Sequence, residues 1–212
     1  MSDAPLDARE RAELCDLLLE LGTDAPTLCD GWATLDLAAH LVVREHDPRA
    51  GLVILGGPRF ARLGTRLMER AKAEGLQALV DRLRAGPPAV PWRVPGLRTV
   101  LNLPESFVHH EDVRRANGRP PRADRPDLDE ALWRVVGRTS RFMLGRVRGA
   151  AVTLTAPGFG EIASRRQKPR AQLTGGPQEL VLYLNGRRAV AEVELTGDAE
   201  ACGALEGAHL GI

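Results

Sequence analysis

Glu105-Ser106-Phe107-Val108-His109-His110-Glu111-Asp112 is the stretch on which the reading of this chain turns. It sits inside Leu97 to Ala116, a segment with helical periodicity that Asn117-Gly118 and then Pro120-Pro121 close. An α-helix advances about 100° per residue, so Glu105, His109 and Asp112 fall within about 60° of one another, while His110 points about 100° away from His109. A carboxylate and an imidazole four residues apart can grip one metal ion from a single helix. The same pair is also common on ordinary solvated helices. Pro104 stands directly before Glu105, removes a backbone donor and predicts either a kink there or a helix that starts afresh.

A third ligand must come from another element, and His40 is the best candidate. It lies on the apolar stripe Leu37, Leu41, Arg44 of a helix that starts near Thr34, a plausible N-cap, with Asp36 in its first turn. A lone histidine on such a stripe is otherwise a buried, hydrogen-bonded residue. Together His40, Glu105 and His109 make a set of two imidazoles and one carboxylate without cysteine. Three protein ligands leave coordination positions open, as in reactive rather than structural sites. Zinc or another divalent first-row ion suits these donors. Asp112, one turn past His109, is placed to orient a ligand or to hold a proton or a substrate group. His46 and His110 read as surface residues or as supports behind a ligand.

Outward from this core, the first two thirds of the chain read as helices. Leu14, Leu17, Leu18 and Leu21 give Leu6 to Leu21 a helical stripe that Gly22 ends. Pro58 to Arg84 reads as one long amphipathic helix stopped by Gly86-Pro87-Pro88, and Leu128 to Arg148 as a fifth. From residue 150 the pattern changes. Val152, Leu154 and Ala156 alternate with threonines as a strand, and Pro157-Gly158-Phe159-Gly160 reads as a turn. Gln178 to Leu184 is a short apolar segment, Val190 and Glu192 to Leu195 alternate again, and Asp198 to Leu205 reads as a last helix. The expected class is α+β, with a helical domain over 1–149 and a small α+β domain over 150–212, too short for comfort alone and packed on the first.

The chain has 212 residues, 43% of them hydrophobic and 27% charged, which suits a soluble core and excludes a wholly disordered chain. No apolar run approaches the roughly 20 residues that span a bilayer, and Met1 to Asp7 is acidic and polar, unlike a signal sequence. A cytoplasmic protein without membrane partner is expected. Basic and acidic residues balance, 29 against 28, so no global field draws nucleic acid. Arg165-Arg166-Gln167-Lys168-Pro169-Arg170 could touch it, but without an aromatic stacking platform it reads as a solvated loop. Trp32, Trp92 and Trp133 read as core or pocket walls. Cys15, Cys29 and Cys202 are odd in number and far apart, as reduced, buried thiols are. There is no internal repeat, no phosphate-binding glycine loop and no nucleophile elbow, which argues against nucleotide enzymes and common hydrolases.

Asp30-Gly31-Trp32-Ala33-Thr34-Leu35-Asp36-Leu37-Ala38-Ala39-His40-Leu41, with Glu105 through Asp112 and Gly175-Gly176-Pro177-Gln178-Glu179-Leu180 through Asn185-Gly186-Arg187, resembles the mycothiol-dependent maleylpyruvate isomerase family of actinobacteria. Phe107-Val108-His109-His110-Glu111-Asp112-Val113-Arg114-Arg115 is similar to an uncharacterised branch of it. The resemblance spans nearly the whole chain and is specific for the family but not for one reaction. It implies a DinB-like four-helix bundle followed by an α+β domain. It also implies a divalent metal, usually zinc, on His40, Glu105 and His109, a functional aspartate at Asp112, and a C-terminal arginine, for which Arg187 is the candidate with Arg188 next. The function so implied is a metal-dependent enzyme that uses a low-molecular-weight thiol, mycothiol by resemblance, for S-transfer to a small electrophile or its isomerisation, as a monomer or homodimer. A non-catalytic metal- or ligand-binding module is the alternative.

Overall fold

The computed structural model describes residues 4–51, 57–88, 97–164 and 169–210. The chain is α+β and divides into two compact units, Met1–Pro121 and Arg122–Ile212. Among the described residues, the first unit is helical: α1 (Leu6–Leu21), α2 (Thr34–His46), a 3-10 turn (Gly57–Phe60), α3 (Ala61–Lys72), α4 (Leu76–Ala85) and α5 (Leu97–Ala116). Helix α1 packs against α4 and α5, and α2 against α3 and α4. Leu14, Leu18, Leu37, Val42, Leu79, Val80, Leu83 and Val113 form a closed apolar core. Each such side chain contributes about 1.5–3 kcal/mol by leaving water, so this core and not surface ion pairing decides the fold.

Local chemistry sets the helix ends. Gly22 takes φ +81°, which an L side chain resists, and stops α1. Thr34 is not the N-cap of α2 but its first residue. Its hydroxyl donates to the Gly22 carbonyl instead, and the cap position belongs to Ala33, whose N–H donates to Asp36 Oδ2 at 3.0 Å. The long helix expected over 58–84 is broken, because Gly75 at φ +82° separates α3 from α4. Pro104 does not interrupt α5, which runs through it from Leu97 to Ala116. Of the three free cysteines, Cys15 is buried, while Cys29 and Cys202 are only half-buried.

The second unit contains α6 (Pro126–Leu144), β1 (Ala151–Ala156), β2 (Gly160–Ala163), β3 (Arg170–Gly175), α7 (Pro177–Leu184), β4 (Val193–Gly197) and α8 (Ala199–Gly207). The change of pattern at residue 150 marks the first strand, whereas the units divide at 121/122, since α6 buries Leu128, Leu132 and Val136 and packs on α7. The sheet order is β2-β1-β3-β4, parallel only between β1 and β3. Its register aligns Ile162, Leu154, Leu173 and Leu195 in one row across all four strands. Helix α7 buries every residue but Glu179, with the apolar run Leu180 to Leu184 wholly inside, as an inner helix must. Strands β2 and β3 escaped the sequence reading, because each is short and flanked by polar residues. Trp133 is half-buried, and Trp92 and residues 165–168 of the basic stretch lie outside the described residues. No helix among the described residues is long and apolar enough to cross a membrane.

Gly197 ends β4 at φ +124°, and a Cβ there would meet the Arg170 carbonyl at 2.3 Å. Gly197→Ala is therefore expected to destabilise the protein by about 1–3 kcal/mol. Gly203→Ala, in α8 with open space around it, should be neutral or stabilising by up to about 1 kcal/mol. Urea unfolding followed by circular dichroism checks both. Equal midpoints for the two variants would contradict the close approach.

Candidate metal centre

Helices α2 and α5 bring the residues together inside the first unit. Helix α2 buries Leu37, Ala38, Leu41 and Val42, which leaves His40 at the margin of that stripe, half-buried, with the Trp32 ring 5.1 Å away at 49°. Helix α5 presents Glu105 and His109 one turn apart. Glu105 Oε1 lies 3.4 Å from His40 Nε2 and 3.4 Å from His109 Nε2. The two imidazole rings meet edge to face at 5.3 Å.

These separations carry chemical information. Hydrogen bonds of this type centre at about 2.9–3.0 Å, so 3.4 Å is long for one. Two donors each about 2.0–2.1 Å from a tetrahedral zinc lie about 3.3 Å apart. The His40–Glu105 and Glu105–His109 distances thus match edges of a coordination polyhedron, and all three donor atoms lie within 4.8 Å of one another. The donor set therefore fits a divalent first-row ion. The side chains of His40 and Glu105 remain 30% and 20% exposed, so the group can be reached from solvent.

The other side of His109 is different. Its Nδ1 is 2.9 Å from Asp112 Oδ2, an ordinary hydrogen bond to a carboxylate that is fully buried. That bond holds a proton on Nδ1 and aims Nε2 at Glu105 and His40. The same Asp112 oxygen accepts from the Cys29 thiol at 3.3 Å, and Cys29 Sγ is 4.0 Å from His109 Nδ1. Asp112 has no exposure and shares one oxygen between the His109 imidazole and the Cys29 thiol.

Burial and charge shape the titration of the group. Burial pushes His40 below the usual imidazole range, despite its contact with Glu105, and leaves it neutral. For Glu105, burial raises the pKa but the His109 and His40 contacts and the nearby Arg44 outweigh it, so the carboxyl stays ionised well below its usual range. For His109, burial opposes charge, yet Asp112, Cys29 and Glu105 together hold it well above the usual range. His109 is then an imidazolium between two carboxylates, with a proton on Nε2 where a metal would bind.

Two members of this site escaped the sequence reading. Arg44 stands one turn after His40. Its Nε is 3.2 Å from Glu105 Oε1 and its Nη2 donates to the Leu101 carbonyl at 2.9 Å. The signal was a charged residue on an apolar stripe, which the sequence shows but gives no partner. Cys29 is the other, and nothing in its spacing points to Asp112. His110 is buried, not exposed. It pairs with Glu10 at 2.9 Å, and with Glu13 these donors form a separate group between α1 and α5. Arg187 belongs to the second unit, where its Nη1 donates to the Asn185 carbonyl at 2.7 Å. Arg188 lies over the Tyr183 ring and donates to the Glu206 and Ala208 carbonyls.

No protein-family model matches the chain, and no curated protein does. Among solved structures, the fold is similar to the crystal structure of the mycothiol-dependent maleylpyruvate isomerase. The TM-score is 0.57 at 17% identity, over 92% of this chain and 90% of that one. At that identity the likeness shows the fold.

Because His40 is already neutral and Nδ1 of His109 keeps its proton for Asp112, a metal has one proton to displace, that on His109 Nε2. Zinc binding is expected to release about one proton per ion, and its affinity to fall up to about tenfold per pH unit below the His109 pKa. Calorimetry at pH 7 in buffers of differing ionisation enthalpy reads the proton count. A count near zero would contradict the protonated state of His109.

Proposed function

We propose that the chain is a divalent-metal-dependent enzyme that brings a low-molecular-weight thiol to a small electrophile, by S-transfer or by reversible addition that permits isomerisation. Zinc is the proposed ion and mycothiol the proposed thiol. The observation that carries this reading is the convergence of His40, Glu105 and His109 at coordination-edge distances, with solvent access on one side and Asp112 locked behind His109 on the other. The isomerase-like fold supports the choice of thiol. In this reading the first unit serves as a DinB-like bundle.

A divalent ion held there would favour thiolate over thiol near neutral pH and so supply the nucleophile. The chain's own part is positional. His40 from α2 and Glu105 and His109 from α5 hold the ion. Asp112, accepting from His109 Nδ1 and Cys29, fixes the tautomer and the aim of the His109 ring. Trp32 sets an apolar wall beside His40. The role of Arg187, binding an anionic group of thiol or electrophile, rests on the resemblance alone. A cytoplasmic setting belongs to the proposal, since low-molecular-weight thiols stay reduced there, as do three free cysteines.

Elemental analysis of purified protein should find zinc in wild type and lose it in His40→Ala. Asp112→Asn should keep the ion but weaken its binding by about 10–100-fold. Zinc at full stoichiometry in His40→Ala would overturn the ligand assignment. Mycothiol titrated into the loaded protein should give heat. Its absence would favour a non-catalytic metal-binding module.

A further inference from the structure

Arg44 keeps 9% of its side chain exposed and is joined to the candidate ligand set through one atom. Its Nε lies 3.2 Å from Glu105 Oε1, the same oxygen that faces His40 and His109. Its Nη2 reaches across from α2 to the Leu101 carbonyl of α5 at 2.9 Å. That carbonyl belongs to the turn just before Pro104, where the proline ring removes a donor and crowds the preceding carbonyls. The guanidinium thus spans the weak turn of α5 and ends beside the carboxylate. Its charge is permanent.

The consequence is one of charge. A divalent ion held by one carboxylate and two neutral imidazoles keeps a single positive charge. Arg44 adds a second beside it, and Asp112 offers one negative charge behind His109. Glu45, the next residue along α2, is committed to Arg11 at 2.8 Å. The occupied site therefore carries an excess positive charge in a half-buried place where water screens it weakly. We propose that Arg44 is a specificity-determining residue: it makes the open position of the site select an anion over a neutral ligand of similar size. The substrate group that enters there is then an anion such as a thiolate or a carboxylate. Arg44 touches neither ion nor ligand in this scheme and acts by its field. The inference rests on the metal-site reading above and narrows it to a ligand class.

Cobalt-substituted protein, with thiocyanate as the anionic probe and imidazole as the neutral one, tests this by visible spectroscopy. Arg44→Gln keeps hydrogen-bond donors but not the charge, and should bind thiocyanate about tenfold more weakly with imidazole binding unchanged. Arg44→Lys keeps the charge and should retain the wild-type preference within about threefold. Unchanged thiocyanate affinity in Arg44→Gln, or an equal loss of both probes, would overturn the proposal and leave Arg44 a purely structural role. Loss of cobalt uptake in Arg44→Gln would overturn it too, by assigning Arg44 to holding Glu105 alone. Should that variant fail to fold, Arg44→Lys decides: a lost preference despite the retained charge overturns the charge argument. Wild-type protein that takes up no cobalt would sink the metal reading itself, an outcome distinct from cobalt uptake with Arg44→Gln indistinguishable from wild type.

Discussion

One carboxylate oxygen organises the first unit's chemistry. Glu105 Oε1 has His40 Nε2 and His109 Nε2 at 3.4 Å and Arg44 Nε at 3.2 Å. Two of these neighbours come from α2 and one from α5, so side chains of both helices meet at this atom. Burying a carboxylate alone costs several kcal/mol. Here Arg44 and a protonated His109 offset that cost in the metal-free protein. The leucine core places the helices.

The stretch from His109 to Asp112 shows how a helix distributes charge when each residue steps by about 100°. Four ionisable side chains follow one another, and all are buried. His109 turns to Glu105 and His40, His110 to Glu10 on α1, Glu111 to Arg114 and Arg115 along its own helix, and Asp112 back to His109 and Cys29. Each finds a partner of opposite or complementary character, as buried polar groups must. A run that looks like a solvated face in one dimension is thus an internal network in three.

How far this was legible in the sequence follows from the range of the physics involved. Glu105 and His109 were placed together by helical spacing, which is local, and His40 joined them on the strength of an apolar stripe. The α+β class came from a change of period near residue 150. What failed was either a single backbone conformation or a distant contact. Gly75 broke a helix that periodicity had read as continuous, because one residue at positive φ does not disturb the hydrophobic pattern around it. Strand β3 exposes alternate residues and buries only Ala171 and Leu173 fully, too little signal over six residues. Arg44 and Cys29 needed the fold, since their partners lie 57 to 83 positions away along the chain. The assignment of α6 to the second unit likewise depended on its packing against α7, which no local pattern states.

A structural zinc site and a reactive one place different demands on the surrounding protein. Where the ion is structural, the apo chain lacks a core and the metal supplies the folding free energy. Here Leu14, Leu18, Leu37, Leu79 and Leu83 form a buried apolar core, and Asp112, Cys29 and Glu105 hold His109 well above the usual imidazole range despite its burial. In the proposed reading, proton and metal would compete for His109 Nε2. In that reading the frame would gain little stability from the ion, which would be reached along the partly exposed side chains of His40 and Glu105. Preorganised ligands, a fixed tautomer and an accessible face are the conditions under which an ion does chemistry rather than holds a fold.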